Sequence, residues 1–209
     1  MSQGLRERKK QQTRRAMYDA AVRLFGERGW HATTVADIAA AAGVSPRTFF
    51  AYFPAKEDVL YAPYEELFEG FEELMLARPH GGTVLDELRA WLDEVYVAAS
   101  DRFDPAAERL LDELSAEVDA VAARGLQIMD RAERGLAAAM ADELGSDPGD
   151  PVPRLVAAAA IAALRTLPLP RPEQSPEQRT AEALAGLDTA FTFVAGGLAA
   201  LRDRPRVSR

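Results

Sequence analysis

In this chain of 209 residues, the side chains best placed to do chemistry are hydroxyls and cations crowded into residues 33–60, TTVADIAAAAGVSPRTFFAYFPAKEDVL. Arg47 stands just after a Ser-Pro step, and a guanidinium so placed in the first turn of a helix can donate two hydrogen bonds to guanine O6 and N7. Ser45, Thr48 and Lys56 add neutral and charged donors within reach of a polyanion. The residue types that other chemistries need are missing. There is no cysteine, so thiol nucleophiles, thiolate metal sites and a disulfide framework are excluded. The two histidines, His31 and His80, lie far apart with no acidic group at ligand spacing, which leaves no expected metal site. A small helical enzyme would need an acid/base pair or a nucleophile with a base, and no recognisable spacing supplies one. The expectation is a non-enzyme without a cofactor.

These side chains must be held by helices. Thr34 is the natural N-cap of a short helix to about Ala41, with Asp37 as a shortened partner for a capping box. Gly43 makes a turn, and Ser45 caps a third helix with Pro46 at its first position, where the missing N–H costs nothing. A helix-turn-helix requires a small residue where the helices cross, a glycine at the turn and apolar residues to fix the angle. Ala39, Gly43 and the set Val35, Ile38, Val44, Phe49 and Phe53 meet those needs in order. The plain alternative is a helical hairpin with a glycine turn.

Charge favours the nucleic-acid reading. Residues 1–56 carry ten Lys/Arg against four Asp/Glu, whereas the rest of the chain carries fifteen against twenty-nine. The sequence pI of about 4.9 is therefore an average over a basic head and an acidic body, and binding responds to the local patch.

Alanine richness and 3.6-residue periodicity predict an all-α chain. A basic arm, disordered over residues 1 to about 8, precedes a helix ending near Arg28. Longer helices are expected over about 56–77, with Pro63 kinking its first turns, then 84–100, 104–114, 117–144, 154–167 and 176–202. An extended connector, Leu167 to Pro172, separates the last two. This gives an N-terminal three-helix helix-turn-helix domain, residues 1–55, and a C-terminal six-helix domain, residues 56–209. The basic start runs into Gln11, Gln12 and Thr13 rather than an apolar stretch, and the longest apolar run, Leu155–Leu164, is about half a bilayer span. A cytoplasmic protein without a membrane partner is expected.

Residues 16–60 resemble the TetR (tetracycline-repressor type) family of transcriptional regulators. The resemblance rests on Thr34, Ile38-Ala39, Ala42-Gly43-Val44-Ser45, Thr48-Phe49-Phe50, Tyr52-Phe53 and Lys56-Glu57-Asp58-Val59-Leu60. It implies a homodimer on a palindromic double-stranded operator, a ligand pocket in the body and, usually, repression. By position, Thr34 would cap its helix against a phosphate, Ser45, Pro46, Arg47 and Thr48 would face bases or backbone, and Tyr52 and Lys56 would hold phosphates. Two positions depart from the family pattern. Arg47 stands where many members have a small residue, and Phe50 where a tyrosine hydroxyl often reaches a phosphate, so Phe50 would instead offer apolar contact to a thymine methyl.

In the body, Phe68, Phe71, Met75, Trp91, Tyr96, Leu111 and Met129 fall on inward faces and are the candidates for lining a ligand site. Plain core packing is the competing reading for each. The resemblance implies a pocket among them, which such side chains would suit to a small, largely apolar ligand, and a dimer interface built from the last two helices, whose faces carry small residues at Ala157–Ala163 and Ala195–Ala200. The functional expectation is a homodimeric repressor released from its operator by that ligand. The alternatives are an activator of the same family and a helical ligand-binding dimer without operator control.

Overall fold

Helix formers with glycine and proline at the breaks give an all-helical chain, and no strand occurs among the described residues. The computed structural model describes residues 2–77, 82–98, 104–147, 149–167, 171 and 173–202. Its α-helices are α1 (Ser2–Arg28), α2 (Val35–Ala41), α3 (Pro46–Tyr52), α4 (Ala62–Ala77), α5 (Val84–Ala98), α6 (Pro105–Glu117), α7 (Asp119–Leu144), α8 (Val152–Leu164) and α9 (Pro176–Arg202), with a 3₁₀ turn at Glu57–Tyr61.

Two local expectations are corrected. The arm is helical from Ser2, because Leu5 to Arg15 is an unbroken run of good helix formers apart from Thr13, whose hydroxyl is absorbed by the Lys9 carbonyl at 2.9 Å. Pro63 does more than kink a helix over 56–77. It has no N–H to give, so the segment splits into a 3₁₀ turn and an α-helix that starts at Ala62, with the proline in its first turn. Most of the proposed connector, residues 168–170 and 172, lies outside the described residues.

The chain forms two compact units. The first comprises Met1–Glu66 and Ala106–Gln127. Its core is Met17, Ala21, Leu24, Phe25, Ile38, Ala39, Phe49, Phe53, Val59 and Leu60, all buried. The Tyr61 hydroxyl donates to the Val121 carbonyl at 2.8 Å, and burial pushes that hydroxyl above its ordinary pKa, keeping it a neutral donor. A Cβ at Gly125 would stand 2.7 Å from the Tyr61 oxygen, so the close approach requires glycine there. Arg124 completes the join with ion pairs to Asp58 at 2.6 Å and Glu65 at 2.5 Å.

The second unit comprises Leu67–Pro105 and Ile128–Arg209. There α9 packs on α5 and α8 around Leu85, Leu88, Leu136, Met140, Val156, Ala157, Leu187, Val194 and Leu198. By length and composition Pro176–Leu201 could cross a bilayer, and its most apolar stretch is only 22% buried within this chain. Asp188, Thr189, Thr192, Gly196 and Gly197 break this helix into shorter apolar runs.

Candidate nucleic-acid interface

The helix-turn-helix is built by short-range bonds that its own residues supply. At the start of α2 the Asp37 amide donates to Thr34 Oγ1 at 3.2 Å, and the Thr34 amide donates to the Asp37 carboxylate at 2.9 Å. The capping box is therefore complete, and aspartate closes it despite its shorter reach. The Thr34 hydroxyl also donates to Asp37, and these bonds, the side-chain one foremost, hold the Asp37 carboxyl below its usual pKa. Both the donor and an acceptor site of this hydroxyl are used within the cap.

Gly43 at φ +69° ends α2. The Val44 amide reaches back to the Ala39 carbonyl at 2.9 Å and the Gly43 amide to Ala40 at 3.1 Å, the paired bonds of a Schellman motif. Ser45 then caps α3, accepting from the Thr48 amide at 3.1 Å, with its hydroxyl 2.9 Å from that of Thr48. Pro46 occupies the first turn. This seven-residue helix is thus started by its own sequence, and the backbone turns extended at Phe53 where it ends.

The two faces of α3 differ sharply. Phe49 and Phe53 are fully buried with ring centroids 5.4 Å apart, and they fix the helix to the core. On the outward side lie Pro46, Arg47 and Phe50, the last 54% exposed. Among the described residues Arg47 has no hydrogen-bond or ion-pair partner, and Phe50 touches only the edge of Phe49 among aromatic rings. Ser45 is exposed at the helix start, while Thr48 and Tyr52 are half-buried at its sides.

Lys56 is placed otherwise than its position in the sequence suggests. Its Nζ donates to the carbonyls of Trp30 at 2.9 Å and Thr33 at 3.0 Å, and it lies 3.9 Å from the centre of the Trp30 ring. Burial pulls this ammonium below the ordinary lysine pKa. The reason is tertiary: the turn after α1 leaves carbonyls to be satisfied, and Lys56 is the donor that meets them. Arg14 is likewise turned inward, donating to the Ala62 carbonyl at 3.4 Å and lying over Phe53 at 5.2 Å. The family pattern gives Lys56 to a phosphate by position, and position along the chain does not tell an inward cation from an outward one.

Of the body candidates, Phe68, Phe71, Met75, Trp91 and Tyr96 come together in the core of the second unit. Ring centroids are 5.8 Å apart for Phe68 and Phe71 and 6.1 Å for Phe71 and Trp91, and Arg131 lies 4.0 Å over Phe68. Trp91 lies against α4 at Gly70, where even a Cβ would be in ordinary contact with the indole at 3.6 Å. Leu111 does not join them, since it sits on α6 within the first unit, and Met129 is half-buried on α7 outside this cluster.

Comparison with known proteins supplies the context. Residues 17–62 match the family described as bacterial regulatory proteins, tetR family, and residues 83–199 match the MftR C-terminal domain. The HTH-type transcriptional regulator TcmR of Streptomyces glaucescens is 33% identical over 160 residues, 74% of this chain and 71% of its own. The fatty acid metabolism regulator protein of Bacillus subtilis is 42% identical over 57 residues, 27% of this chain and 29% of its own. Among solved structures, the SmeT–triclosan complex has TM-score 0.59 at 22% identity, covering 87% of this chain and 90% of that one. FadR of Thermus thermophilus with lauroyl-CoA has TM-score 0.51 at 22% identity, covering 94% and 98%. Both share the fold.

Proposed function

We propose, from the premise that the chain belongs to the TetR family of regulators, that it is a homodimeric repressor released from a palindromic operator by a small, largely apolar ligand. DNA binding and transcriptional regulation come with the family. The observation that carries the operator reading is the outward face of α3, where Arg47 and Phe50 stand exposed above a buried Phe49 and Phe53. An unpaired guanidinium beside a bare ring suits a major groove, the first reading guanine and the second a thymine methyl. Ser45, Pro46, Thr48 and Tyr52 border that face, and Thr34 orders the helix before it.

The division of labour is placed at residues 55/56, with ligand binding and dimerisation assigned to 56–209. One head buries too little surface to read a site tightly, and two heads about a twofold axis match a palindrome. The second copy is assigned to the outward face of α9, where Thr189–Leu201 carries no charge and Phe193 is 71% exposed. Burial against an identical helix would also account for the membrane-like composition of α9 in a protein that works in the cytoplasm. For the ligand, the supporting features are the aromatic cluster of Phe68, Phe71, Met75, Trp91 and Tyr96, and the triclosan bound by a protein of the same fold. Helix α4 follows the head in the chain and carries Phe71 and Met75, so a ligand displacing either side chain acts on that helix.

The test is in two stages. Duplexes selected from the organism's own genomic DNA give the operator. Apolar metabolites that raise the melting temperature are then titrated with and without it. Linkage requires ligand and operator to weaken each other by the same factor, with a coupling of about 1–3 kcal/mol. Ligands that bind equally well in both cases would overturn operator control.

A further inference from the structure

We infer that Lys56 is a positioning residue for DNA recognition and not a phosphate ligand: its ammonium pins the turn before α2 to the segment that follows α3. Residues 29–33 have no regular structure, and Gly29 enters them at φ +79°. Such a turn carries carbonyls that no ladder satisfies.

Two devices hold it. Thr33, 1% exposed, sends its hydroxyl back to the carbonyls of Gly29 at 2.9 Å and Leu24 at 3.2 Å, which fastens the turn to α1. Lys56 fastens it from the other side, through the carbonyls of Trp30 at 2.9 Å and Thr33 at 3.0 Å. The Trp30 ring covers the ammonium at 3.9 Å and itself stacks on Phe25 at 5.0 Å. To reach a phosphate the ammonium would have to abandon two charge-assisted bonds and the aromatic face together.

The geometric consequence falls on the recognition helix. Thr33 immediately precedes Thr34, the cap of α2, and Lys56 follows α3 by four residues. The helix pair is therefore closed at its open end, so the clamp fixes how α2 and α3 are presented together. Loss of the clamp should change sequence discrimination more than the number of phosphates neutralised.

The inference rests on the DNA-binding reading, and the experiment separates the two. Wild type, Lys56→Met and Lys56→Gln, as full chains, are titrated by fluorescence anisotropy at several salt concentrations. The probes are the duplex most enriched by the wild type from a random 30-base-pair library and a scrambled duplex of equal composition. Met keeps the stem and removes every donor, while Gln removes the charge but keeps an N–H pair. The expected result is a loss with Met on the order of tenfold on the enriched duplex and less on the scrambled one, partial recovery with Gln, and a salt slope equal to wild type for both. Equal losses on both duplexes, with the slope reduced by about one unit in both variants, would make Lys56 a phosphate ligand and overturn the inference. Should Lys56→Met fail to fold, Lys56→Gln alone decides through its slope. A wild type that enriches no duplex would defeat the DNA-binding reading, and the amide resonances of Thr34 and Asp37 would then decide the clamp: shifted in Lys56→Gln they support it, unmoved they overturn it.

Discussion

Helices α3 and α9 both turn apolar side chains outward, but their surroundings differ. On α3 the exposed ring of Phe50 stands one turn from a guanidinium that has no partner among the described residues, and the helix is only seven residues long. On α9 the exposed Phe193 lies in a stretch of thirteen residues, Thr189–Leu201, with no charge, amid Ala195, Gly196, Gly197, Ala199 and Ala200. A ring beside a cation suits a polyanion with methyl groups in its groove. A ring amid small side chains suits another helix backbone at close range. Exposed apolar surface takes its meaning from its neighbours.

The largest effect expected from breaking this contrast is at Gly196. A Cβ there meets nothing within 4 Å in its own chain, so Gly196→Trp should leave the protomer folded. It should give monomers by light scattering and lower operator affinity on the order of a hundredfold or more, since the two heads no longer bind as one. A dimer of unchanged mass would remove α9 from the interface.

A smaller effect is expected on the α3 side. Arg47→Ala should cost about 1–3 kcal/mol on the operator and relax preference at one base pair per half-site, while random duplex is bound nearly as before. Equal losses on both duplexes would make Arg47 a phosphate contact and leave Phe50 as the reader on that face.

The smallest effect sharpens what holds the α3 side in place. The Asp37 carboxyl is held below its ordinary pKa by the Thr34 hydroxyl and amide. Its contribution is thus fully present above the ordinary carboxylate pKa and is lost as pH falls through the lower, folded value. Acid titration followed by the Thr34 amide resonance should show loss of the cap on that descent, and Asp37→Asn should remove this part of the pH dependence. An unchanged acid limb in Asp37→Asn would assign the dependence to another carboxylate.

The motif was legible in the sequence because its determinants lie within five residues of one another. Thr34 with Asp37, Gly43 with Ala39 and Ala40 through its turn, and Ser45 with Thr48 are local bonds that residue type and spacing decide. The aromatic cluster of the second unit was partly legible, since periodicity marks Phe68, Phe71, Met75, Trp91 and Tyr96 as inward. It could not separate Leu111, because an inward face does not say which core it faces.

By itself, then, the sequence determined the helical class, the capped and glycine-turned pair that carries Arg47, and the basic sign of the head. Only the tertiary structure decided where the cations of that head spend their charge. Lys56 meets carbonyls 23 and 26 residues away, and Arg14 one 48 residues away. It also decided that α6 and the start of α7 pack into the same unit as the head, through Tyr61 and Arg124. The physical reason is range. Caps and turns are settled by bonds between near neighbours, whereas the partner of a long cationic side chain is whichever unsatisfied carbonyl the fold happens to bring within reach.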